Sequence, residues 1–201
     1  MTFRVAIAGA SGYAGGELAR LLAAHPDYEV TTLAAHTAAS QPVSSVHPHL
    51  ASFADADFSK TSVDTLKGHD VVALALPHGE SGALGEALRA SGDEALLVDL
   101  GADRRLENKS DWDQFYGGDY FSPFTYGMPE LPRESGPTSR ELLSNARDIA
   151  VPGCNATAVT LALAPLLARG LIRGDDLSAV LAVGSSGAGR ALRSDLLAAE
   201  L

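Results

Sequence analysis

The clearest structural pattern of the chain lies near the N-terminus, in Phe3-Arg4-Val5-Ala6-Ile7-Ala8-Gly9-Ala10-Ser11-Gly12-Tyr13-Ala14-Gly15. The apolar run Phe3–Ala8 has the composition of a buried strand. The glycines after it follow a G-x-x-G-x-x-G spacing: Gly9 permits a sharp turn off the strand, Gly12 permits a close approach of the backbone, and Gly15 permits tight packing of a helix. The stretch therefore predicts a strand, a tight turn and a helix.

Such a turn exposes backbone amides at the positive end of a helix dipole, which suits a phosphate group. We expect the amides of Ser11, Gly12, Tyr13 and Ala14 to face the pyrophosphate of a dinucleotide. A strand-to-helix turn without a ligand also favours glycine. The context favours the binding interpretation, because the motif follows an apolar strand and opens an amphipathic pattern over Gly15–Ala24.

Apolar runs alternate with helix-like patterns along the rest of the chain, which is typical of βαβ units and a parallel sheet. Strands are predicted at Val30–Ala34, Val71–Leu76, Ala95–Leu100 and Leu177–Val183, and helices at Gly79–Ala90, Thr157–Ala168 and Arg190–Leu201. Arg104–Arg140 is rich in Asp, Gly, Pro and aromatic residues and reads as loops and short helices. We expect an α/β protein with a doubly wound, Rossmann-type parallel sheet over residues 1–150. Residues 151–201 would begin a second α/β or α+β domain, incomplete, with an exposed apolar helix and an unpaired strand.

The composition and net charge of the chain limit the classes of molecule that it could bind. The chain has 201 residues, of which 46% are hydrophobic and 20% charged, as in ordinary globular proteins. Its net charge of -10 argues against nucleic acid or an anionic membrane as a partner. A small anionic molecule is still compatible, because local amides and arginines can bind it. A single cysteine excludes an internal disulfide and, with no signal-like or membrane-length segment, indicates the cytoplasm.

The end of the second predicted strand bears on the choice of dinucleotide. Sites that prefer NAD usually carry an acidic residue there, which binds the ribose 2′-hydroxyl. This strand instead runs into His36 and Thr37, with Ser40 close behind. Without an acidic residue a 2′-phosphate meets no repulsion, so the sequence favours NADP(H). A plain polar loop is the alternative interpretation.

The only cysteine, Cys154, lies between a Pro-Gly turn and a predicted helix N-terminus. The helix dipole there favours a thiolate. A thiolate can attack an activated acyl carbon to give a thioester, which hydride from a nicotinamide reduces to an aldehyde. The alternative is that Cys154 is a small buried apolar side chain.

Taken together, the motifs resemble those of the N-acetyl-γ-glutamyl-phosphate reductase family, within the aspartate-semialdehyde dehydrogenase superfamily. The matching segments are Gly-Ala-Ser-Gly-Tyr-Ala-Gly (9–15), Leu-Pro-His-Gly (76–79), Gly-Ala-Asp-Arg-Arg-Leu (101–106), Tyr-Gly-Met-Pro-Glu-Leu (126–131), Val-Pro-Gly-Cys (151–154) and Ser-Gly-Ala-Gly-Arg (186–190). The resemblance implies an NADPH-dependent enzyme of arginine biosynthesis that acts on a small acyl phosphate, and a homo-oligomer for the full-length family.

The resemblance also implies residue roles. Cys154 would be the nucleophile, Arg105 would hold a substrate carboxylate, and His78 would lie near the nicotinamide ribose. Ser186 and Gly187 belong to a second glycine-rich loop that would face cofactor or phosphate. For Arg105, His78 and this loop, purely structural roles are the alternatives.

Three features depart from the family pattern. Arg104 replaces a typical phenylalanine and adds a charge beside Arg105, and Asn155 replaces a common aromatic residue after the cysteine. The family's catalytic histidine lies in a His-Arg-His segment beyond the 186–190 loop, and the sequence ends at Leu201 before that position. Two alternatives therefore stand beside the glutamyl reductase: a dinucleotide-binding module without turnover, and a related aspartyl or aminoadipyl phosphate reductase.

Overall fold

The computed structural model describes residues 1–189 and has one parallel sheet at its centre. Its strands are β1 (Phe3–Ala8), β2 (Tyr28–Ala35), β3 (Ser59–Lys60), β4 (Val71–Leu74), β5 (Leu96–Asp99), β6 (Thr125–Tyr126) and β7 (Asp148–Ala150). The strand order is β3-β2-β1-β4-β5-β7-β6, and every pairing in this order is parallel. The predicted α/β class and doubly wound parallel sheet are confirmed.

Helices connect these strands. They are α1 (Tyr13–Leu22), α2 (Val43–Val46), α3 (Val63–Leu66), α4 (Glu80–Ala90), α5 (Lys109–Phe115), α6 (Ser139–Ser144) and α7 (Cys154–Ala168). The predicted helices α1, α4 and α7 are all present, although α1 and α7 begin two and three residues earlier than the apolar pattern indicated. The stretch 104–140 contains only short elements, as expected.

Side chains of β1 alternate between two hydrophobic cores, one on each face of the sheet. Val5 and Ile7 pack with Leu33, Phe58 and other residues of the first core. Ala6 and Ala8 belong to the second core, together with residues of α3, α4, β4 and β5. Because both faces are covered, β1 is apolar at nearly every position.

The connections change direction at β1, because β2 lies on one side of it and β4 on the other. In open parallel sheets a ligand binds at the carboxyl ends of the strands where the order reverses. The glycine-rich turn follows β1 and His78 follows β4, so both lie at this edge of the sheet.

The region after β7 is less packed than the sheet. None of the 15 residues of α7 is buried, although the helix is strongly apolar. The predicted strand Leu177–Val183 was wrong: these residues form no strand, and Leu177, Val180, Leu181 and Val183 are exposed. A strand needs a hydrogen-bonding neighbour, and none lies beside this segment among residues 1–189. Arg190 and the predicted helix Arg190–Leu201 lie outside the described residues.

No helix within residues 1–189 has the length and apolar character needed to cross a membrane.

Candidate functional site

The turn after β1 has the backbone geometry that the glycine spacing predicted. Gly9 has a φ of +80°, and a Cβ at this position would lie 2.1 Å from the carbonyl oxygen of Ala75. A Cβ at Gly15 would lie 2.4 Å from the carbonyl oxygen of Gly9. Both positions require glycine, Gly9 because the turn crosses the end of β4 and Gly15 because α1 begins directly over the turn.

Gly12 differs from these two glycines. It is the N-cap of α1 and has no side chain to cap the first turn, where helix amides lack intrahelical partners. A Cβ here would meet only the carbonyl oxygen of Gly9, at 3.3 Å. The fold therefore does not demand glycine at this position as strictly, and its open side leaves the first amides of α1, including those of Tyr13 and Ala14, accessible to an anion.

A buried histidine, His47, packs against the same turn. The Nε2 of His47 lies 2.9 Å from the carbonyl oxygen of Ala10 and can donate a hydrogen bond to it. Its ring occupies the space that a Cβ on Gly16 would need, within 2.5 Å. His47 was not predicted as part of the site; the doubled glycine Gly15-Gly16 was the available signal that something packs against this turn.

The turn and the end of β2 share one cleft of about 340 Å³, lined by Ser11, Gly12, Thr37, Ala38, Gln41 and Val46. The structure thus places Thr37 beside the glycine-rich turn after β1. Ser40 does not line this cleft. Its φ is +64°, and its amide donates to the carbonyl oxygen of Phe58 at 2.7 Å.

His78 follows β4 at the carboxyl edge of the sheet and is exposed. Its Nδ1 accepts a hydrogen bond from the amide of Ala102 at 3.3 Å, and its ring packs edge-on against Tyr116 at 5.3 Å. The Ala102 contact ties the end of β4 to the loop after β5.

Behind His78 lies a buried polar cluster that the sequence analysis did not identify. The carboxylate of Asp103 accepts hydrogen bonds from the amides of Gly79 and Gly82 and from the Ser81 hydroxyl, and so caps α4. Asp99, fully buried at the end of β5, also contacts the Ser81 hydroxyl. Burial raises the pKa of Asp99 above its ordinary value, with the nearby Asp103 acting in the same direction, while hydrogen bonds from Gly101 and Ser81 and the charge of Arg105 oppose the rise. The sequence feature that could have indicated this cluster is Asp99, an acidic residue at the end of an apolar strand.

Arg105 and Cys154 lie close together at the same edge. The guanidinium of Arg105 donates from Nε to the carbonyl oxygen of Val151 at 2.7 Å and from Nη2 to that of Leu100 at 2.8 Å. Its Nη1 lies 3.2 Å from where a Cβ on Gly153 would stand, next to the cysteine. Arg105 thus joins the ends of β5 and β7 and leaves only the far end of its guanidinium for a ligand.

Cys154 is the first residue of α7, so the predicted helix N-terminus is confirmed. Its thiol forms no disulfide and is exposed in the described part of the chain.

The prediction that Arg104 adds a charge beside Arg105 was wrong. Arg104 is buried and points towards α4, where it binds the carboxylate of Glu86 at 2.6 Å. The guanidinium carbon lies 5.0 Å from the ring centroid of Phe121 and 4.6 Å from that of Phe124. The two arginines extend in different directions because consecutive residues in this turn face different layers of the fold, so Arg104 stabilises a loop.

The second glycine-rich loop forms a short 3-10 turn, Ser185–Ala188. Its backbone hydrogen bonds are local, from Gly187 to Gly184 and from Gly189 to Ser186. Neither Ser186 nor Gly187 lines the cleft beside the glycine-rich turn after β1. The structure therefore does not bring these two predicted residues to that turn.

Comparisons with known proteins agree with this geometry. The family model described as semialdehyde dehydrogenase, NAD binding domain, matches residues 4–136, and the model described as semialdehyde dehydrogenase, dimerisation domain, matches residues 154–201. Among solved structures, aspartate semialdehyde dehydrogenase from Francisella tularensis superposes with a TM-score of 0.58 at 17% identity, covering 84% of this chain and 42% of that one. The enzyme with NADP from Candida albicans gives 0.56 at 14% identity, covering 84% and 48%. At these identities the likeness shows the fold alone.

Curated relatives are more similar in sequence. N-acetyl-gamma-glutamyl-phosphate reductase from Leifsonia xyli subsp. xyli is 54% identical over all of this chain and 57% of its own length. The protein of the same name from Acidothermus cellulolyticus is 51% identical over all of this chain and 56% of its own length. The chain spans somewhat more than half the length of these relatives. The glycine turn, the switch in strand order above it and the match over residues 4–136 lead to one conclusion: the chain belongs to the semialdehyde dehydrogenase family.

Proposed function

We propose that this chain contributes to the NADPH-dependent reduction of N-acetyl-glutamyl 5-phosphate to N-acetyl-glutamate 5-semialdehyde, through a thioester on Cys154, in arginine biosynthesis in the cytoplasm. The observation that carries the proposal is the position of the exposed thiol. Cys154 starts α7 at the carboxyl edge of the sheet, beside Arg105 and on the same edge as the phosphate turn. The names of the relatives at about half identity support the choice of substrate.

The phosphate turn fits a dinucleotide. Gly9 and Gly15 let the turn pack tightly, because a Cβ at either position would collide with neighbouring backbone, and Gly12 leaves the outer side of the turn open. The amides of Ser11, Tyr13 and Ala14 would hold the pyrophosphate, with Gly9 and Gly12 shaping the turn. Thr37 would contact the ribose end of the dinucleotide and His78 the nicotinamide end, whereas Ser40 lies outside the cleft. Ser186 and Gly187 would approach only if residues after α7 fold over this edge.

NADP(H) is the proposed cofactor. Thr37 lines the cleft beside Ser11 and Gly12, and none of the six residues that line it is acidic. A carboxylate there would repel a 2′-phosphate, whereas the Thr37 hydroxyl can donate a hydrogen bond to it. When bound, NADPH supplies the hydride that reduces a thioester to an aldehyde.

In the proposed chemistry the Sγ of Cys154 forms a bond to the acyl carbon, and the bond from that carbon to the phosphate oxygen breaks, so inorganic phosphate leaves. The far end of the Arg105 guanidinium would orient an anionic group of the substrate. Because Nε and Nη2 already bind main-chain oxygens, a two-pronged contact would have to come end-on from Nη1 and the second hydrogen of Nη2.

The domain organisation follows from the same proposal. Residues 1–150 form the NADP-binding domain, and residues 151–201 begin the catalytic and dimerisation domain. The exposed apolar helix α7 would be covered in a homo-oligomer, which fits the description of the model that matches residues 154–201.

The test is the reverse reaction, the phosphate-dependent reduction of NADP by N-acetyl-glutamate 5-semialdehyde, followed by the absorbance of NADPH. We expect Cys154→Ala to abolish turnover and Cys154→Ser to leave a trace, with NADPH affinity unchanged in both. Thr160→Ala, further along α7, is the matched control and should keep turnover. Equal turnover in wild type and Cys154→Ala would refute the thioester mechanism. Faster turnover with an aspartyl or aminoadipyl semialdehyde would instead identify a related acyl-phosphate reductase.

A second candidate function is dinucleotide binding without turnover. It is favoured by the lack of any buried residue in α7 and by the absence of strand pairing at residues 177–183 within the described part of the chain. This candidate predicts NADPH binding to the 201-residue chain, loss of binding on disruption of the turn, and no phosphate-dependent reduction of NADP. Turnover that depends on Cys154 would exclude it.

A further inference from the structure

Three buried polar side chains behind His78 form a cluster whose protons can be counted. Asp99, Asp103 and Ser81 are each at most 1% exposed. The Ser81 hydroxyl oxygen lies 3.2 Å from Oδ2 of Asp99 and 3.1 Å from Oδ2 of Asp103. A hydroxyl has one proton to donate, so it can satisfy only one of two ionised carboxylates. The other short contact would then join two acceptors.

The surroundings of Asp103 favour its charged form. Its carboxylate accepts from the amide of Gly79 at 2.8 and 2.9 Å and from that of Gly82 at 2.8 Å. These amides belong to the first turn of α4 and its N-cap, where the helix dipole stabilises an anion. Asp103 is therefore the better acceptor of the Ser81 proton.

Asp99 lacks comparable support. Apart from Ser81, its one hydrogen-bond donor among the described residues is the amide of Gly101, at 2.7 Å. Removing a carboxylate from water without enough donors favours the neutral acid, and burial accordingly raises the pKa of Asp99. The cluster is also closely packed, because a Cβ on Gly101 would lie 2.5 Å from the Ser81 oxygen.

We infer that Asp99 is a neutral carboxylic acid that donates its proton to Ser81, which in turn donates to the Asp103 carboxylate. This relay fixes the backbone of Gly79 and Gly82, and so positions the turn that carries His78. Asp99 is a positioning residue: it acts through Ser81 and Asp103 and touches no reacting atom. The consequence for cofactor binding rests on the proposed function, whereas the proton on Asp99 does not.

The relay makes the turn sensitive to pH. Three charged or titratable side chains lie around the pair besides Ser81: Arg105 on the loop after β5, His78 on the turn itself, and Arg104, whose charge is paired with Glu86 on α4. Because the pKa of Asp99 is raised in the folded chain, the folded state holds a proton that the unfolded chain releases. The stability from this proton is fully present below the ordinary aspartate pKa and is lost as pH rises through the raised value. Above it, two negative charges share one hydroxyl.

The direct test is infrared spectroscopy of the 201-residue chain without ligand, titrated upward through the pH range in which ordinary Asp and Glu side chains ionise. We expect the carbonyl band of one protonated carboxyl group to persist after the other carboxyl bands have disappeared; this band should be absent in Asp99→Asn and kept in Glu86→Gln, the control on the exposed side of α4. The inference is overturned if no carboxyl band outlasts the others in the wild type or if Asp99→Asn retains it. The wild-type spectrum decides even if a variant fails to fold.

The second test separates this inference from the proposed function. Asparagine keeps the shape of the neutral acid and can still donate to Ser81. We therefore expect the urea midpoint and the NADPH affinity of the wild type to fall as pH rises from the ordinary aspartate pKa through the raised pKa of Asp99, and both to be flatter in Asp99→Asn. Equal pH dependence of the urea midpoint in the two proteins would refute the relay. Failure of the chain to bind NADPH at any pH would refute the proposed function while leaving the infrared result intact.

Discussion

Replacing Gly15 by alanine should damage the fold itself. The added Cβ would stand 2.4 Å from the carbonyl oxygen of Gly9 and 2.8 Å from the Cα of Ala10. Both are backbone atoms, and they are fixed by hydrogen bonds from Ala10 to Ala34 at 2.9 Å and from Gly12 to Gly9 at 3.0 Å. Neither neighbour can move aside as the end of a flexible side chain would.

Because neither neighbour can move aside, the substitution lowers the free energy of unfolding. Overpacking of a filled site costs about 1 to 3 kcal/mol, and rigid neighbours place this site at the upper end. Alanine in a helix is better than glycine by up to about 1 kcal/mol. The net loss is about 2 kcal/mol, which lowers the melting temperature of a domain of this size by roughly 4 to 8 °C.

Gly12→Ala is the matched control, because its Cβ meets only the carbonyl oxygen of Gly9, at 3.3 Å. Its φ of -80° and ψ of 172° suit alanine, so stability should change by less than about 1 kcal/mol. The same Cβ would project where a pyrophosphate approaches. Weakening two amide–phosphate hydrogen bonds by about 1.5 kcal/mol each lowers NADPH affinity about 100-fold.

Thermal unfolding and calorimetric titration with NADPH measure the two effects separately. We expect a stability loss in Gly15→Ala and an affinity loss in Gly12→Ala at nearly wild-type stability. If Gly15→Ala unfolds like the wild type, the close packing of α1 on the turn is wrong. If Gly12→Ala binds NADPH like the wild type, the pyrophosphate does not lie at this turn.

Two further substitutions test the surroundings of the site. Thr37→Asp places a carboxylate in the cleft beside the turn after β1. NADPH should then bind at least about 10-fold more weakly, while NADH gains affinity. Parallel titrations measure both affinities, and an unchanged ratio between them would show that the 2′-phosphate lies elsewhere. Arg104→Ala removes a buried cation from between two aromatic rings and leaves the carbonyl oxygens of Gly82 and Ser122 without its hydrogen bonds. The free energy of unfolding, measured with urea, should therefore fall by about 3 kcal/mol. Arg104→Phe should lose less, because its ring keeps the contact with both aromatic side chains, and equal losses in the two variants would contradict that packing.

Much of the fold could be predicted because local pattern and tertiary environment agree. β1 occupies the predicted residues, since a central strand covered on both faces must be apolar throughout. The short strands β3 and β6 could not be predicted, because two residues carry no periodicity. At Leu177–Val183 a strand was predicted but is not formed. The composition of this segment suits a strand, but strand formation also needs a neighbouring strand, which composition does not reveal.

The site divides in a similar way. The phosphate turn and the position of Cys154 could be predicted because each depends on contiguous residues with a defined geometry. The roles of Arg104 and of the Asp99 cluster could not, because they depend on which layer of the fold each side chain meets. Asp103 and Ser81 are 22 positions apart, and only the packing of α4 against the end of β5 brings them together.

We expect a nicotinamide dinucleotide to bind with its pyrophosphate at the turn after β1 and its adenosine end beside Thr37. Nuclear magnetic resonance of the ¹⁵N-labelled chain titrated with NADP would show this placement residue by residue. We predict that the largest amide shifts occur at Gly12, Tyr13 and Ala14, with a second group at Thr37 and Gln41. Shifts confined to other regions, or no shifts at saturating NADP, would show that the dinucleotide does not bind at this turn.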